Sequence, residues 1–221
     1  MDAPSRVESF ALYHSTYHNV ITHLSYFSIS ILRKTSLNAV GVSVLSLAPN
    51  AVVLIKDATS WNNFEYGYRL RGATIHVKDS TAKHNVQGIR IAGERKRSPT
   101  NVQFKGEVFS YGNVNDGIVI GEGFGPGNNA FAMVIVEGNL ISFRNKYNGL
   151  LLEDFQSQGS EDFVVKKNGS FISCQNGEAD IYYEDDVNFV DGDSDGIGYT
   201  CESIDSPTPG TPVCVPCPVC A

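Results

Sequence analysis

Short apolar runs alternate with polar positions along most of this chain, and an asparagine precedes several of these runs by three or four residues. Within such a run the apolar residues occupy every second position, as Ile89 and Ile91 do on either side of Arg90. This period of two predicts β-strands whose first and third side chains point into a core. The asparagines that open the pattern are Asn63, Asn85, Asn113, Asn145 and Asn176.

The pattern recurs at a nearly constant interval, which indicates a repeat architecture. Successive strand-start positions are 26, 21, 29, 32 and 31 residues apart. The intervals also contain further segments rich in β-branched and aromatic residues, such as 133–136 and 141–143. We therefore predict three short strands per coil and about six coils. The strand-start positions are Gly41, Gly67, Gly88, Gly117, Gly149 and Asp180.

Over residues 35–186 this pattern resembles the right-handed parallel β-helix of the pectate-lyase-like superfamily, in which coils stack and asparagines form an internal ladder. The resemblance implies an all-β, single-stranded solenoid. An asparagine amide can donate to one neighbouring coil and accept from the other, so the ladder is expected to be a structural spine. The glycine after each asparagine, or Asp180 in its place, is expected in a left-handed backbone conformation.

The domain organisation follows from where the pattern begins and ends. We predict an N-terminal cap at residues 1–34, the β-helix at 35–190, an acidic loop or last coil at 191–205, and a disordered tail rich in cysteine and proline at 206–221. A cap is needed because the open end of a stack exposes strand edges. The prolines of the tail favour polyproline II over a packed fold.

Composition narrows the choice of partners. The 221 residues carry a formal net charge of −7, which leaves no basic footprint for nucleic acid. No apolar run reaches the roughly 18 residues expected of a membrane-spanning helix. Cys201, Cys214, Cys217 and Cys220 crowd the C-terminus, which favours disulfides over a zinc site. Although no signal peptide is visible, the cysteines favour a secreted or cell-surface protein.

The sharpest local motif is an acidic segment with the spacing of a twelve-residue calcium loop. Asp191, Asp193, Asp195 and Glu202 supply the hard oxygen ligands that Ca²⁺ prefers, and Gly196 stands at the sharp turn. The flanking residues show no helical pattern, so the likeness to an EF-hand is limited to ligand spacing. The alternative is an acidic turn that opens one more coil, because aspartate and glycine are also common turn residues.

A second acidic group appears when equivalent positions of successive coils are stacked. Glu122, Asp154 and Asp185 then fall in one column, where carboxylates about 4.8 Å apart repel unless a cation or a proton separates them. In polysaccharide lyases of the superfamily that the chain resembles, calcium and a basic residue acidify the proton beside a uronate. The resemblance implies Arg90, or Arg69, as that residue. The alternative is a solvated acidic loop edge.

The chain lacks a recognisable catalytic signature, so whether it is an enzyme stays open. Trp61, Tyr111 and Phe143 occupy one column, where they either stack on sugar rings or pack against protein. We expect an extracellular β-helix protein that binds polysaccharide or a cell-surface glycan, or that serves as a surface scaffold or adhesion module. The alternative is a calcium-dependent uronan lyase or epimerase.

Overall fold

Short β-strands in two sheets make up the computed structural model of this chain, and no helix occurs in the residues that it describes. The alternation of buried and half-buried side chains along these strands has the period of two that the sequence predicts. The described residues are 20–23, 28–31, 34–45, 52–72, 74–95, 99–121, 130–153, 160–166, 168–183 and 188–190.

The first sheet has seven strands, and its order follows the chain. Neighbours in it are β1 (Val20–His23), β4 (Val40–Leu45), β7 (Tyr66–Arg71), β9 (Gln87–Ala92), β12 (Ile118–Gly121), β15 (Asn148–Leu152) and β18 (Ala179–Tyr183). Each strand pairs in parallel with the next one. Parallel pairing in chain order requires the chain to return to the same edge once per turn, as in a solenoid.

The second sheet has twelve strands and supplies the other sides of each turn. They are β2 (Ser28–Ile31), β3 (Lys34–Ser36), β5 (Val52–Lys56), β6 (Thr59–Trp61), β8 (Thr74–Lys83), β10 (Glu94–Arg95), β11 (Thr100–Tyr111), β13 (Ala130–Val136), β14 (Asn139–Phe143), β16 (Ser160–Val165), β17 (Ser170–Cys174) and β19 (Asn188–Val190). Among these strands only the short β10 pairs antiparallel, with β13.

The predicted all-β parallel β-helix is therefore confirmed. One turn runs through a strand of the seven-stranded sheet and then through two strand segments of the twelve-stranded sheet, as in β12, β13 and β14. The parallel register stacks equivalent residues of successive turns, so that Ile89, Ile118 and Leu150 form one inward column and are fully buried. Columns of this kind build a continuous apolar core.

The number of turns is smaller than the sequence predicted. Asn63 and Asn176 stand at the same bend, and four steps of the asparagine ladder separate them, so this part makes about four turns rather than about six. The six strand-start positions mark where turns begin. The first and the last of these positions do not each begin a complete turn within the described residues. Part of the predicted cap continues the stack, because β1 and β2 pair in parallel with β4 and β5.

A ladder of asparagine side chains joins the turns at one bend. The Oδ1 of each asparagine accepts the backbone N–H of the ladder asparagine one turn earlier, at 3.0–3.1 Å. From Asn63 onward its Nδ2 donates to the next Oδ1 at 2.8–3.4 Å. The predicted structural spine is confirmed, and it includes one more member, Asn38, which stands three residues before Gly41.

Serines complete this ladder, although the sequence pattern did not reveal their role. Ser60, Ser110, Ser142 and Ser173 each stand three residues before a ladder asparagine, accept its Nδ2 at 2.9–3.2 Å, and donate to a strand-start carbonyl at 2.6–2.8 Å. The last rung differs, because Asn176 donates to Asp180 of its own turn. Because the Asp180 carboxylate accepts these hydrogen bonds, Asn176 needs no acceptor from a following turn.

The left-handed residues of this bend do not lie where the sequence predicted them. They immediately precede the ladder asparagines, and they are Leu37, Asn62, His84, Gly112, Arg144 and Gln175, with φ between 52° and 63°. The strand-start glycines of the described residues do not have positive φ. Glycine is needed there because of close approach: a Cβ on Gly67 would lie 2.6 Å from Asn85 Nδ2 and 2.6 Å from the Gly88 carbonyl oxygen.

Removing one rung of the ladder should destabilise the whole stack. Asn113 accepts a hydrogen bond from Asn85 and donates one to Asn145, so Asn113→Ala leaves buried polar groups on two other turns without a partner. We expect the free energy of unfolding to fall by about 2–4 kcal/mol, because each buried polar group left without a partner costs about 1–3 kcal/mol. Urea denaturation measures this. The matched control is Asn101→Ala on the outer side of β11, and an equal loss in both variants would contradict the ladder's role.

Glycine should be tolerated best where the backbone is left-handed and the side chain contacts little. Leu37 has φ 60° and is 66% exposed. A left-handed non-glycine residue costs about 1–2 kcal/mol, whereas glycine loses about 0.5–1 kcal/mol in backbone entropy. We therefore expect Leu37→Gly to raise the midpoint of urea unfolding slightly, and Phe64→Gly, at a residue 70% exposed without positive φ, to lower it. A lower midpoint for Leu37→Gly would refute this.

Candidate functional site

The seven candidate calcium ligands lie outside the described residues. They are Glu122, Asp154, Asp185, Asp191, Asp193, Asp195 and Glu202. Among the residues that the structure does describe, no group of three or more histidine, cysteine, aspartate or glutamate side chains is placed to hold a metal ion. The calcium sites stay predictions from the sequence.

Arg90 is described, and its guanidinium is held by a carboxylate from two strands away. Its Nη1 and Nη2 donate to the two carboxylate oxygens of Glu153 at 2.7 and 2.6 Å, in the bidentate geometry that favours arginine over lysine. The side chains are 13% and 30% exposed, respectively. The ion pair crosses the outer surface of β12, where Val119 beneath it is fully buried.

Small residues make room for this ion pair. Gly121 stands at the end of β12 beside Ala92 of β9, and a Cβ on Gly121 would collide with the Glu153 carboxylate. The Glu153 backbone N–H donates to the Ile120 carbonyl oxygen at 2.8 Å, which fixes where its side chain begins. The sequence does not reveal that Glu153 lies opposite Arg90, because 63 residues separate them along the chain and their strands are two apart in the sheet.

The ion pair belongs to a broader outer face of the seven-stranded sheet. Arg69 is the direct neighbour of Arg90 on β7, and Arg71 lies two residues further along the same side of that strand. Tyr66 lies under Arg69, with the guanidinium carbon 5.8 Å from the ring centroid. We call this surface, comprising Tyr66, Arg69, Arg71, Arg90, Val119, Leu151, Glu153 and Tyr182, the arginine face.

Arginines outnumber acidic residues among the described residues of the arginine face. Three arginines and one glutamate stand among its described residues, whereas the whole chain has a net charge of −7. Its other end is apolar, and Tyr182 there is 49% exposed. Arginine guanidinium groups bind carboxylates and an exposed aromatic ring packs on the apolar face of a sugar, so the two ends of this face suit different units of an acidic sugar chain.

The predicted aromatic column contains a packed pair. Tyr111 and Phe143 stack on each other with ring centroids 4.8 Å apart, and Phe143 is only 8% exposed. Lys83, rather than an aromatic residue, stands between Trp61 and Tyr111 in the register. Of the two alternatives for this column, packing against protein therefore applies to Phe143.

No family model, no curated protein and no solved structure matches this chain. The parallel solenoid is thus known from its own strand pairing, and the function has to be argued from its outer faces.

No helix in the described part of the chain is long and apolar enough to cross a membrane. Cys174 is the cysteine that the structure describes, so the predicted pairing of Cys201, Cys214, Cys217 and Cys220 stays a prediction.

His76 lies on β8, on the opposite outer face. Burial lowers its pKa, the Lys105 ammonium lowers it further, and Gln103 and the Glu137 carboxylate oppose both effects. The imidazole is therefore held neutral more strongly in the fold than in the unfolded chain, whose histidine pKa is about 6.5.

The lowered pKa of His76 predicts a pH dependence of stability. As the pH falls below about 6.5, the unfolded chain binds a proton at this histidine before the folded protein does. The free energy of unfolding should consequently decrease through this range, and the decrease should level off below the pKa of folded His76. Urea denaturation at several pH values should show a smaller decrease for His76→Gln. Identical pH profiles for variant and parent would refute the assignment.

Proposed function

We propose that this chain is a non-catalytic β-solenoid module of the cell exterior that binds an anionic polysaccharide along its arginine face. The observation that carries the proposal is the register of β7 and β9, which makes Arg69 and Arg90 direct neighbours. Like charges on adjacent strands destabilise a sheet unless an anion lies between them. Glu153 reaches Arg90 from the β12 side, away from Arg69, and a uronate carboxylate could bind with the same bidentate geometry on the β7 side.

The shape of the face also suits a chain-like ligand. From β7 to β18 the equivalent outward residues form a strip about 19 Å long, given a strand spacing of about 4.8 Å. A polysaccharide lying across the strands would meet arginines first and the apolar residues Leu151 and Tyr182 last. Repeated shallow contacts of this kind favour an extended polymer over a small enclosed ligand.

We also propose that the solenoid is right-handed and has the pectate-lyase-like architecture. It is supported by the repeat pattern of the sequence and by the strong preference of parallel crossover connections for the right-handed form. An extracellular location is supported by the cysteine-rich C-terminus alone. Calcium binding stays a separate prediction from the sequence.

Binding is better supported than the alternative of a lyase or epimerase. Both Nη atoms of Arg90 are bound to the Glu153 carboxylate, so Arg90 could reach a substrate proton only if Glu153 were displaced. A binding site has no such requirement, because an incoming carboxylate can exchange with Glu153 or share the neighbouring arginines. The same pair would also make binding sensitive to salt.

Replacing arginines that do not hold Glu153 tests the proposal. Calorimetry with polygalacturonate and with neutral dextran should show binding of the acidic chain only. We expect Arg69→Gln combined with Arg71→Gln to weaken that binding about tenfold or more, because a hydrogen bond to a charged group contributes about 1.5–3 kcal/mol. The control is Lys78→Gln on the twelve-stranded sheet, which removes a positive charge elsewhere.

Three outcomes would contradict the proposal. These are equal binding of dextran, no binding of any uronan by the parent protein, and an equal loss in the Lys78→Gln control. The catalytic alternative is tested in the same samples by the absorbance of unsaturated uronate, with and without calcium. Cleavage by the parent protein would replace the binding module with a lyase.

A further inference from the structure

A row of side chains lies on the outer surface of the ladder bend, where each residue directly follows a ladder asparagine. From Phe64 onward the backbone N–H of each residue donates to the asparagine carbonyl oxygen one turn earlier, at 2.8–3.3 Å. Equivalent positions therefore stack from turn to turn, about 4.8 Å apart. We call this surface the bend row, and it consists of Ala39, Phe64, Val86, Val114 and Lys146.

The apolar part of the bend row is exposed to solvent. Phe64 is 70% exposed and Val114 is 52% exposed, and Leu37, just before Asn38 of the ladder, is 66% exposed. These three are the most exposed large apolar side chains among the described residues. Val86 lies between Phe64 and Val114 and is half-buried, so the apolar surface is continuous. A contiguous exposed apolar surface is a common sign of a protein interaction site.

Opposite charges stand at the two ends of this apolar surface. Glu65 follows Phe64 along the chain, and Lys146 stands three turns further on in the bend row. Both side chains are exposed, and in the described part of the chain neither has an ion-pair partner. The Nζ of Lys146 lies 5.2 Å from the ring centroid of Tyr147, so it already contacts an aromatic ring. The surface is thus complementary to a copy of itself turned end to end.

A second copy of this chain satisfies both ends at once. In an antiparallel pair the two-fold axis passes between the Val86 turn and the Val114 turn. The Phe64 turn of one copy then faces the Lys146 turn of the other, and Glu65 lies beside that lysine. Because the pair is two-fold symmetric, this contact occurs twice. A parallel pair would instead place Lys146 opposite Lys146, which like-charge repulsion disfavours.

We propose that this chain associates with a second copy through the bend row, with the two stacks antiparallel and with Lys146 of each copy against Phe64 and Glu65 of the other. The apolar part spans four successive turns, or about 14 Å, which is short for an interface that buries the roughly 800 Å² per partner of a standard complex. We therefore expect a reversible dimer that dissociates on dilution. The proposal does not depend on glycan binding.

Sedimentation equilibrium of the full chain between about 10 μM and 1 mM tests this association. We expect the weight-average mass to rise with concentration from monomer towards dimer. Phe64→Asp and Val114→Asp should each weaken dimerisation about tenfold or more, because each puts a charge into the apolar contact in both copies. The matched control is Met133→Asp on β13, at an apolar residue 40% exposed. A monomeric mass throughout, or an equal effect of the control, would overturn the proposal.

A charge exchange tests the antiparallel arrangement. Lys146→Glu alone should weaken dimerisation about tenfold, because two like-charged contacts replace two attractive ones. Glu65→Lys combined with Lys146→Glu should restore the dissociation constant to within about threefold of the parent value. Urea denaturation of each variant shows that the fold itself is retained. Unchanged dimerisation in Lys146→Glu, or no recovery in the double variant, would refute this arrangement of the two copies.

Discussion

The hydrogen bond from each ladder asparagine to the next is the interaction on which the rest of this structure depends. A solenoid bends its chain sharply at every turn, and each bend buries backbone N–H groups that no strand pairs. The Oδ1 of an asparagine on the next turn accepts these donors, while its own amide donates onward. One side chain type thus satisfies two turns at once and fixes their register.

Several other residue choices at the bend follow from this constraint. The chain must reverse immediately before the asparagine, so the preceding residue becomes left-handed even where it is leucine, histidine or arginine. The turns then approach so closely that a strand-start Cβ would strike the next asparagine, which explains glycine. A serine three residues before the asparagine uses the remaining amide hydrogen and joins it to the strand-start carbonyl. At Asn85 this serine is replaced by Ala82, and the amide turns to the Ser60 carbonyl oxygen instead.

The fixed register also determines what the outer faces can do. It brings Arg90 within hydrogen-bonding distance of Glu153 across 63 residues of chain, and it sets Arg69 beside Arg90. On another side it aligns Phe109, Ile141 and Ile172 into one outward apolar column. Both surfaces arise from stacking turns of unequal loop length, and a change in ladder register would dissolve both of them.

The sequence by itself determined the strand alternation, the repeat interval and five rungs of the ladder, because side-chain periodicity and amide chemistry are local properties. It did not identify Asn38, which carries the same spacing to Gly41 but lies where the pattern is short. Tertiary structure alone decided the partner of Arg90, the left-handed position and the role of the serines. Each of these depends on which residues become neighbours when turns of different length are stacked, and that register is a long-range property.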